Sequence, residues 1–158
     1  MLTLVCNSYK EGESIGLKHV HSSTNGRNVS PGFSWLEIPI STKSFVLSII
    51  DPHPVAHHWV HWIVIDIPFN VREISEGASR SSKMPKGARE LMNSYGEQGY
   101  GGPAPPKGSG PHPYVATLYA LNVEKLNIPL DASLRLFQKS IEGKVIAEMA
   151  VTGTYEVK

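Results

Sequence analysis

The run Lys43-Ser-Phe-Val-Leu-Ser-Ile-Ile-Asp51, followed after a histidine-rich connection by Trp59-Val-His-Trp-Ile-Val-Ile-Asp-Ile67, decides the fold. Both runs are dense in Val, Ile and aromatic residues, and each is stopped by a proline, Pro52 or Pro68. Branched and aromatic side chains suit a pleated surface better than a helix, and runs this short have strand length. Apolar residues occupy both faces of each run, which predicts two central strands covered on both sides. The short connection over 52–58 makes them an antiparallel pair. With a symmetric turn, Asp51 lies opposite Trp59 and Ile49 opposite His61. Asp51 and His61 are then diagonal neighbours on one face, about 7–8 Å apart and within side-chain reach.

Outward from this pair the chain reads as further strands and turns. Leu2 to Cys6 is a short strand, and Lys10 to Gly16 a turn. His19 to Thr24 reads as another strand, closed by the turn dipeptide Asn25-Gly26. Ser30-Pro31-Gly32 breaks the chain before Phe33, Trp35 and Leu36, and Pro39 ends that piece. Residues 70–91 carry no clear pattern. Residues 93–113 are dense in Gly and Pro yet rich in tyrosine, the mark of an ordered, functional loop and not of a flexible linker. Tyr114, Ala116, Leu118 and Ala120 alternate along a strand that ends at Leu121. One helix is predicted over 131–142, with Asp131 as N-cap, Leu134, Phe137 and Ile141 at helical spacing, and Gly143 as the stop. Val145, Ala147, Met149 and Val151 alternate in a closing strand. No regular βαβ alternation appears, so the expected fold class is mostly β, antiparallel, with few helices, in a single domain spanning 1–158.

Composition removes several function classes. The chain of 158 residues has 15 basic and 14 acidic residues, a net charge of +1 and no basic stripe, which argues against nucleic-acid binding. Its single cysteine, Cys6, forms no internal disulfide and is expected as a small buried side chain, because nothing nearby would activate it. No apolar run approaches the ~18 residues of a membrane span, and Met1 to Lys10 lacks the pattern of a signal peptide, so a cytoplasmic location is expected. Glycine at 14 residues and proline at 12 exceed the average share of about 12% for the two together, which favours strands and ordered loops over a helix bundle.

Histidine is the residue type that carries chemistry here. His61 sits in an apolar strand, where burial would strip its charge unless Asp51 held it in one tautomer or kept it protonated. A purely structural Asp51–His61 bond is the competing reading. His112 follows Gly108-Ser-Gly-Pro, a loop whose backbone N–H groups suit an anion such as phosphate, and Tyr114 adds a hydroxyl. An ordinary surface turn is the alternative there. His53, His57, His58 and His61 form a dense cluster that, with Asp51, suits Zn²⁺ or Fe²⁺, although the His57–His61 spacing is diagnostic only on a helix. Gly12-Glu-Ser-Ile-Gly16 matches the nucleophile-elbow pattern, but no helical pattern follows it, so the match reads as chance. The glycines of 99–110 fit neither nucleotide-binding fingerprint. Trp35, Trp59 and Trp62 read as core.

Taken together, the segments resemble the phosphatidylethanolamine-binding protein family in its bacterial and archaeal, Raf-kinase-inhibitor-like branch. The resemblance rests on Asn28-Val-Ser-Pro-Gly-Phe-Ser-Trp35, Lys43 to Pro52, Trp59-Val-His-Trp-Ile-Val64, Gly99 to Gly108, Gly110-Pro-His-Pro-Tyr114, Leu118-Tyr-Ala-Leu121 and Gly153-Thr-Tyr155, in family order across nearly the whole chain. It implies a larger antiparallel sheet packed with a smaller one, and a small anion pocket at one end. The pocket residues it implies are Asp51, Pro52, Trp59, His61, Gly110, His112 and Tyr114, with His53 beside them. Family ligands are phosphate-like groups and phospholipid headgroups, and family partners include kinases and serine proteases. The resemblance extends to a homodimer and implies neither a cofactor nor a catalytic reaction. Two departures flank the pocket. His53 stands where the family usually has Asp, and Pro113 where it usually has Arg. The lost charges are complementary, which suggests an ion pair abandoned on both sides.

These features yield a leading expectation and two alternatives. The leading one is a non-enzymatic binding module in which His61, His112, Gly110 and Tyr114 donate to an anion and Asp51 orients them. Were the histidines cationic, binding would weaken above pH ~7. One alternative is a protein-interaction module for a kinase or serine protease whose pocket is only a switch. The other is a metal-dependent hydrolase using Asp51, His61 and His112.

Overall fold

The computed structural model covers Met1 to Lys158 and contains eight strands and one α-helix: β1 (Thr3–Cys6), β2 (Phe33–Leu36), β3 (Ser44–Asp51), β4 (Trp59–Pro68), β5 (Glu73–Ile74), β6 (Arg89–Glu90), β7 (His112–Leu121), α1 (Leu134–Ile141) and β8 (Val145–Tyr155). They form two antiparallel sheets, a small one in the order β1-β2-β5 and a larger one in the order β6-β4-β3-β7-β8. As expected, β3 and β4 lie inside the larger sheet and are buried on both faces.

Strand alternation divides the apolar residues between two layers. Phe45, Leu47 and Ile49 of β3 turn toward the small sheet, where they meet Phe33, Trp35 and Ile74 in the larger core. Val46 turns the other way, with Ile63, Ile65 and Leu121, and is covered by Phe137 and Ile141 of α1. Along β7 the same alternation sends His112, Tyr114, Ala116, Leu118 and Ala120 inward, as the sequence indicates for the last four. No helix is long and apolar enough to cross a membrane.

Two local expectations are corrected. The segment His19 to Thr24 is not a strand but two 3-10 turns, Leu17–His19 and Ser22–Thr24. Its polar side chains satisfy the nearby backbone and so compete with a ladder. His21 Nδ1 accepts from the Ser23 N–H at 3.1 Å, and Thr24 Oγ1 donates to the His21 carbonyl at 3.1 Å. Asn25, at φ 67°, then turns the chain away. The helix exists, but its N-cap is Ser133, whose hydroxyl accepts from the Leu136 N–H at 3.1 Å. Asp131 is spent in the preceding turn, which the Ala132 N–H closes on the Pro129 carbonyl.

Candidate functional site

The site begins with a defect in the sheet. Asp51 does pair with Trp59, but Ile50 pairs with Val60 and Ile49 with Trp62, so His61 is the extra residue of a β-bulge. The expected Ile49–His61 pairing is therefore absent. A bulge re-aims a side chain, and His61 lies edge-on to Tyr114 with ring centroids 5.0 Å apart. Its Nδ1 is 2.7 Å from the Gly101 carbonyl, not on Asp51. A carbonyl only accepts, so Nδ1 carries the ring proton. Burial pushes the His61 pKa down to about 4, against the smaller opposing pulls of the Gly101 carbonyl and Asp51. His61 is consequently a neutral imidazole at neutral pH, held in one tautomer by Gly101 and not by Asp51.

Asp51 instead orients His112. The end of β3 lies beside the start of β7, and His112 Nδ1 donates to Asp51 Oδ2 at 2.6 Å, both side chains being buried. The other carboxylate oxygen accepts from the His53 N–H at 2.8 Å. On its far side, His112 Nε2 is 2.9 Å from Ser109 Oγ, and that hydroxyl lies 2.6 Å from the Pro106 carbonyl. With the hydroxyl proton directed at Pro106, Nε2 donates to Ser109, and both nitrogens of His112 carry protons. Asp51 and His112 thus form a buried ion pair in which each carboxylate oxygen and each ring nitrogen has a hydrogen-bond partner.

His53 stacks flat on His112, with centroids 3.8 Å apart and planes within 6°. Its Nδ1 accepts from the Val55 N–H at 3.1 Å, which makes the neutral ring the one that lies on the charged one. Pro113 follows His112 along β7 and points to the opposite face. Position 53 therefore faces His112, and the ion pair suggested between positions 53 and 113 is not framed by this geometry. His57 and His58 are exposed and take φ of 50° and 58°. No three His, Cys, Asp or Glu side chains converge as metal ligands, so the histidine spacing does not assemble a metal centre.

A cavity of about 380 Å³ opens above these residues. Asp51, His61, His112 and Tyr114 are buried at its base, while Val55, Trp59 and Pro106 are exposed at its rim. Five of the residues singled out from the sequence thus line one cavity: Asp51, Trp59, His61, His112 and Tyr114. Pro52, Gly110 and His53 do not line it, and the His53 ring instead stacks on His112. Trp59 is 36% exposed and is not a core residue, unlike Trp35 and Trp62. Tyr95, Ser23 and Pro105 also line the cavity and were not marked by the sequence. Tyr95 stood in the loop expected to be ordered, which was the available signal. Tyr114 Oη is buried without a hydrogen-bond partner. Burial above all, and then the negative charge of Asp51, push its pKa upward, so the phenol keeps its proton.

The loop over 93–111 holds the fourth wall. Asn93 Oδ1 accepts from the Tyr95 and Glu97 N–H groups, Tyr95 Oη donates to the Gly102 carbonyl at 2.6 Å, and the Gly101 N–H donates to the His61 carbonyl at 2.9 Å. Gly102 permits this approach, because a Cβ there would lie 2.2 Å from the His19 carbonyl oxygen. Gly102→Ala is expected to destabilise the protein by about 1–3 kcal/mol through overpacking against backbone. Chemical denaturation tests this, and an unchanged midpoint would contradict the close packing.

The remaining sequence features stay structural. Cys6 is buried, and burial pushes its thiol pKa up. Ser14 of the elbow-like motif lies exposed and bridged to Thr154 of β8, followed only by the 3-10 turn Leu17–His19 and not by the α-helix such a nucleophile requires.

Comparison with known proteins agrees with this fold. The family model described as phosphatidylethanolamine-binding protein matches residues 6–156. A "UPF0098 protein" of Aquifex aeolicus is 35% identical over 156 residues, covering 99% of this chain and 89% of the relative. The crystal structure of Escherichia coli YbcL, described as a new member of the mammalian PEBP family, superposes with a TM-score of 0.94 at 35% identity and covers 99% of both chains. A carboxypeptidase Y inhibitor solved with its cognate proteinase shares the fold alone, with a TM-score of 0.54 at 20% identity over 93% of this chain and 76% of that one. With its two antiparallel sheets, its single helix and a family match running almost from end to end, the chain belongs to the phosphatidylethanolamine-binding protein family.

Proposed function

We propose that the protein is a non-enzymatic binding module whose cavity takes a phosphate-like group, free or as part of a phospholipid headgroup. The observation that carries this reading is the unpartnered hydroxyl of Tyr114 at the base of an open cavity. Buried polar groups are normally satisfied, and one left bare beside an accessible space is suited to a ligand. Tyr114 and the free nitrogen of His61 make the polar contacts, and the Asp51–His112 pair holds the base in shape. Apolar Val55, Trp59 and Pro106 at the rim suit the carbon portion of an ester. Each oxygen of Asp51 and each ring nitrogen of His112 already has a partner within the chain, which favours a structural, orienting role for the pair.

Titration with phosphoethanolamine, followed by Trp59 fluorescence and calorimetry, tests the reading. Tyr114→Phe is expected to weaken binding about tenfold while stability stays level or rises by up to ~1 kcal/mol, because the variant removes an unsatisfied buried hydroxyl. Wild-type affinity in Tyr114→Phe would contradict it.

A second reading draws on the exposed rim, where Val55 is 51% exposed and Trp59 36%. Apolar side chains around a pocket mouth suit contact with a kinase or serine protease, and the pocket's occupant would then modulate that contact. Kinship of fold with a protease inhibitor supports this by analogy only.

A further inference from the structure

Two side-chain positions at the base of the cavity have no hydrogen-bond partner in the chain, Tyr114 Oη and His61 Nε2. Both oxygens of Asp51 and both nitrogens of His112 are engaged, and their charges cancel. Tyr114 Oη has a proton to give and no acceptor. His61 has its proton on Nδ1, facing Gly101, so Nε2 offers only a lone pair. No side chain or backbone group of the chain hydrogen-bonds that nitrogen, and both His61 and Tyr114 line the cavity. The pair is therefore one donor beside one acceptor, in a base of no net charge.

We propose that this donor–acceptor pair selects the singly protonated form of a phosphomonoester, with its P–OH donating to His61 Nε2 and a neighbouring phosphoryl oxygen accepting from Tyr114 Oη. The inference rests on the anion-pocket reading above and narrows it to a monoester in one protonation state, which makes an intact diester headgroup the weaker ligand. A dianion would set an oxygen lone pair against the lone pair of Nε2, or force a proton onto a ring that burial holds near 4. The groups facing His61 are Asp51 from β3, His112 and Tyr114 from β7, Tyr95 and the Gly101 and Gly102 carbonyls from the 93–111 loop, and His21 ahead of the second 3-10 turn. Histidines titrate in the same range as a phosphomonoester's second proton, so the test needs a ligand that does not.

Methyl phosphate and methyl sulfate supply that contrast. They have the same shape, and at pH ~5 both are monoanions, but only methyl phosphate carries a hydroxyl. Calorimetry from pH ~5 to ~8 is expected to show methyl phosphate about tenfold or more tighter at the acid end. The ratio of the two affinities should fall about tenfold by pH ~7, since the second pKa of a phosphomonoester is near 6. Glycerophosphoethanolamine, a diester without P–OH, should bind like methyl sulfate. A ratio near one at pH ~5, or a ratio that rises with pH, overturns the proposal while leaving an anion pocket standing. So does a diester that binds as tightly as methyl phosphate, which would make an ammonium the donor. Failure of all three to bind overturns the pocket reading as well.

His61→Phe should bring the ratio to about one. Because that site is buried, ¹⁵N NMR of the unaltered protein is a second readout. Nε2 of His61 is expected to stay unprotonated with methyl phosphate bound at pH ~6, and a doubly protonated ring in the complex overturns the proposal.

Discussion

Asp51→Ala is expected to cost about 3–5 kcal/mol of folding stability, because it leaves the charged ring of His112 buried without its counterion. The His53 N–H loses its acceptor in the same variant. His112→Ala strands the carboxylate in turn, whereas the double variant removes both charges and should cost much less than the sum of the two. Denaturation of the four proteins in a double-mutant cycle measures the coupling directly. Single-variant losses below ~1 kcal/mol, or additivity within about 0.5 kcal/mol, would mean that this is not a tightly coupled buried pair.

Acid should destabilise the protein through His61. The unfolded ring has a pKa of about 6.5, and the folded ring is held down to about 4. Below ~6.5 the unfolded chain takes up a proton that the folded chain refuses, so stability rises with pH wherever this difference operates. The contribution of the neutral ring is fully present above about pH 6.5 and is lost as pH falls through 6.5 toward 4. Its full size is roughly 3 kcal/mol. Urea unfolding of the wild type and His61→Gln between pH ~4 and ~8 isolates it, because the variant lacks the titrating ring. Parallel stability curves would show that His61 does not carry this dependence.

The same two residues mark where the sequence could be read and where it could not. The β-rich runs around Asp51 and His61 carry their strand character in every residue, and their two-faced apolarity identifies them as central. The register between them is another matter. A bulge of one residue changes which side chains face each other, and nothing in Trp59-Val-His-Trp announces it. For that reason Asp51 was expected on His61 and is found on His112, a residue 61 positions away in the chain. The strand expected over 19–24 failed for the opposite reason. Its Ser, Thr and His side chains settle the backbone locally, and pattern alone does not weigh those bonds against a ladder.

Tyr95 and Ser23 reach the cavity only because the 93–111 loop and the second 3-10 turn fold over it. The loop was recognisable as ordered from its tyrosines and prolines, but not as a wall that sets the tautomer of His61 through one carbonyl. The departures from the family pattern at His53 and Pro113 were visible as substitutions. Their consequence, a neutral ring stacked on a charged one, depends on the backbone N–H of Val55 and so was not.

By itself the sequence determined the β character of the chain, its central strands and its one helix, and it marked Asp51, His61, His112 and Tyr114 among the side chains that meet at the cavity. These follow from local periodicity and composition, which each segment carries wherever it lies. Only the tertiary structure decided which partner each polar atom takes. Hydrogen bonds act over about 3 Å and depend on direction, so a one-residue bulge and the carbonyls of a distant loop fix the protonation of His61 and His112, and with it the chemistry the base of the cavity offers.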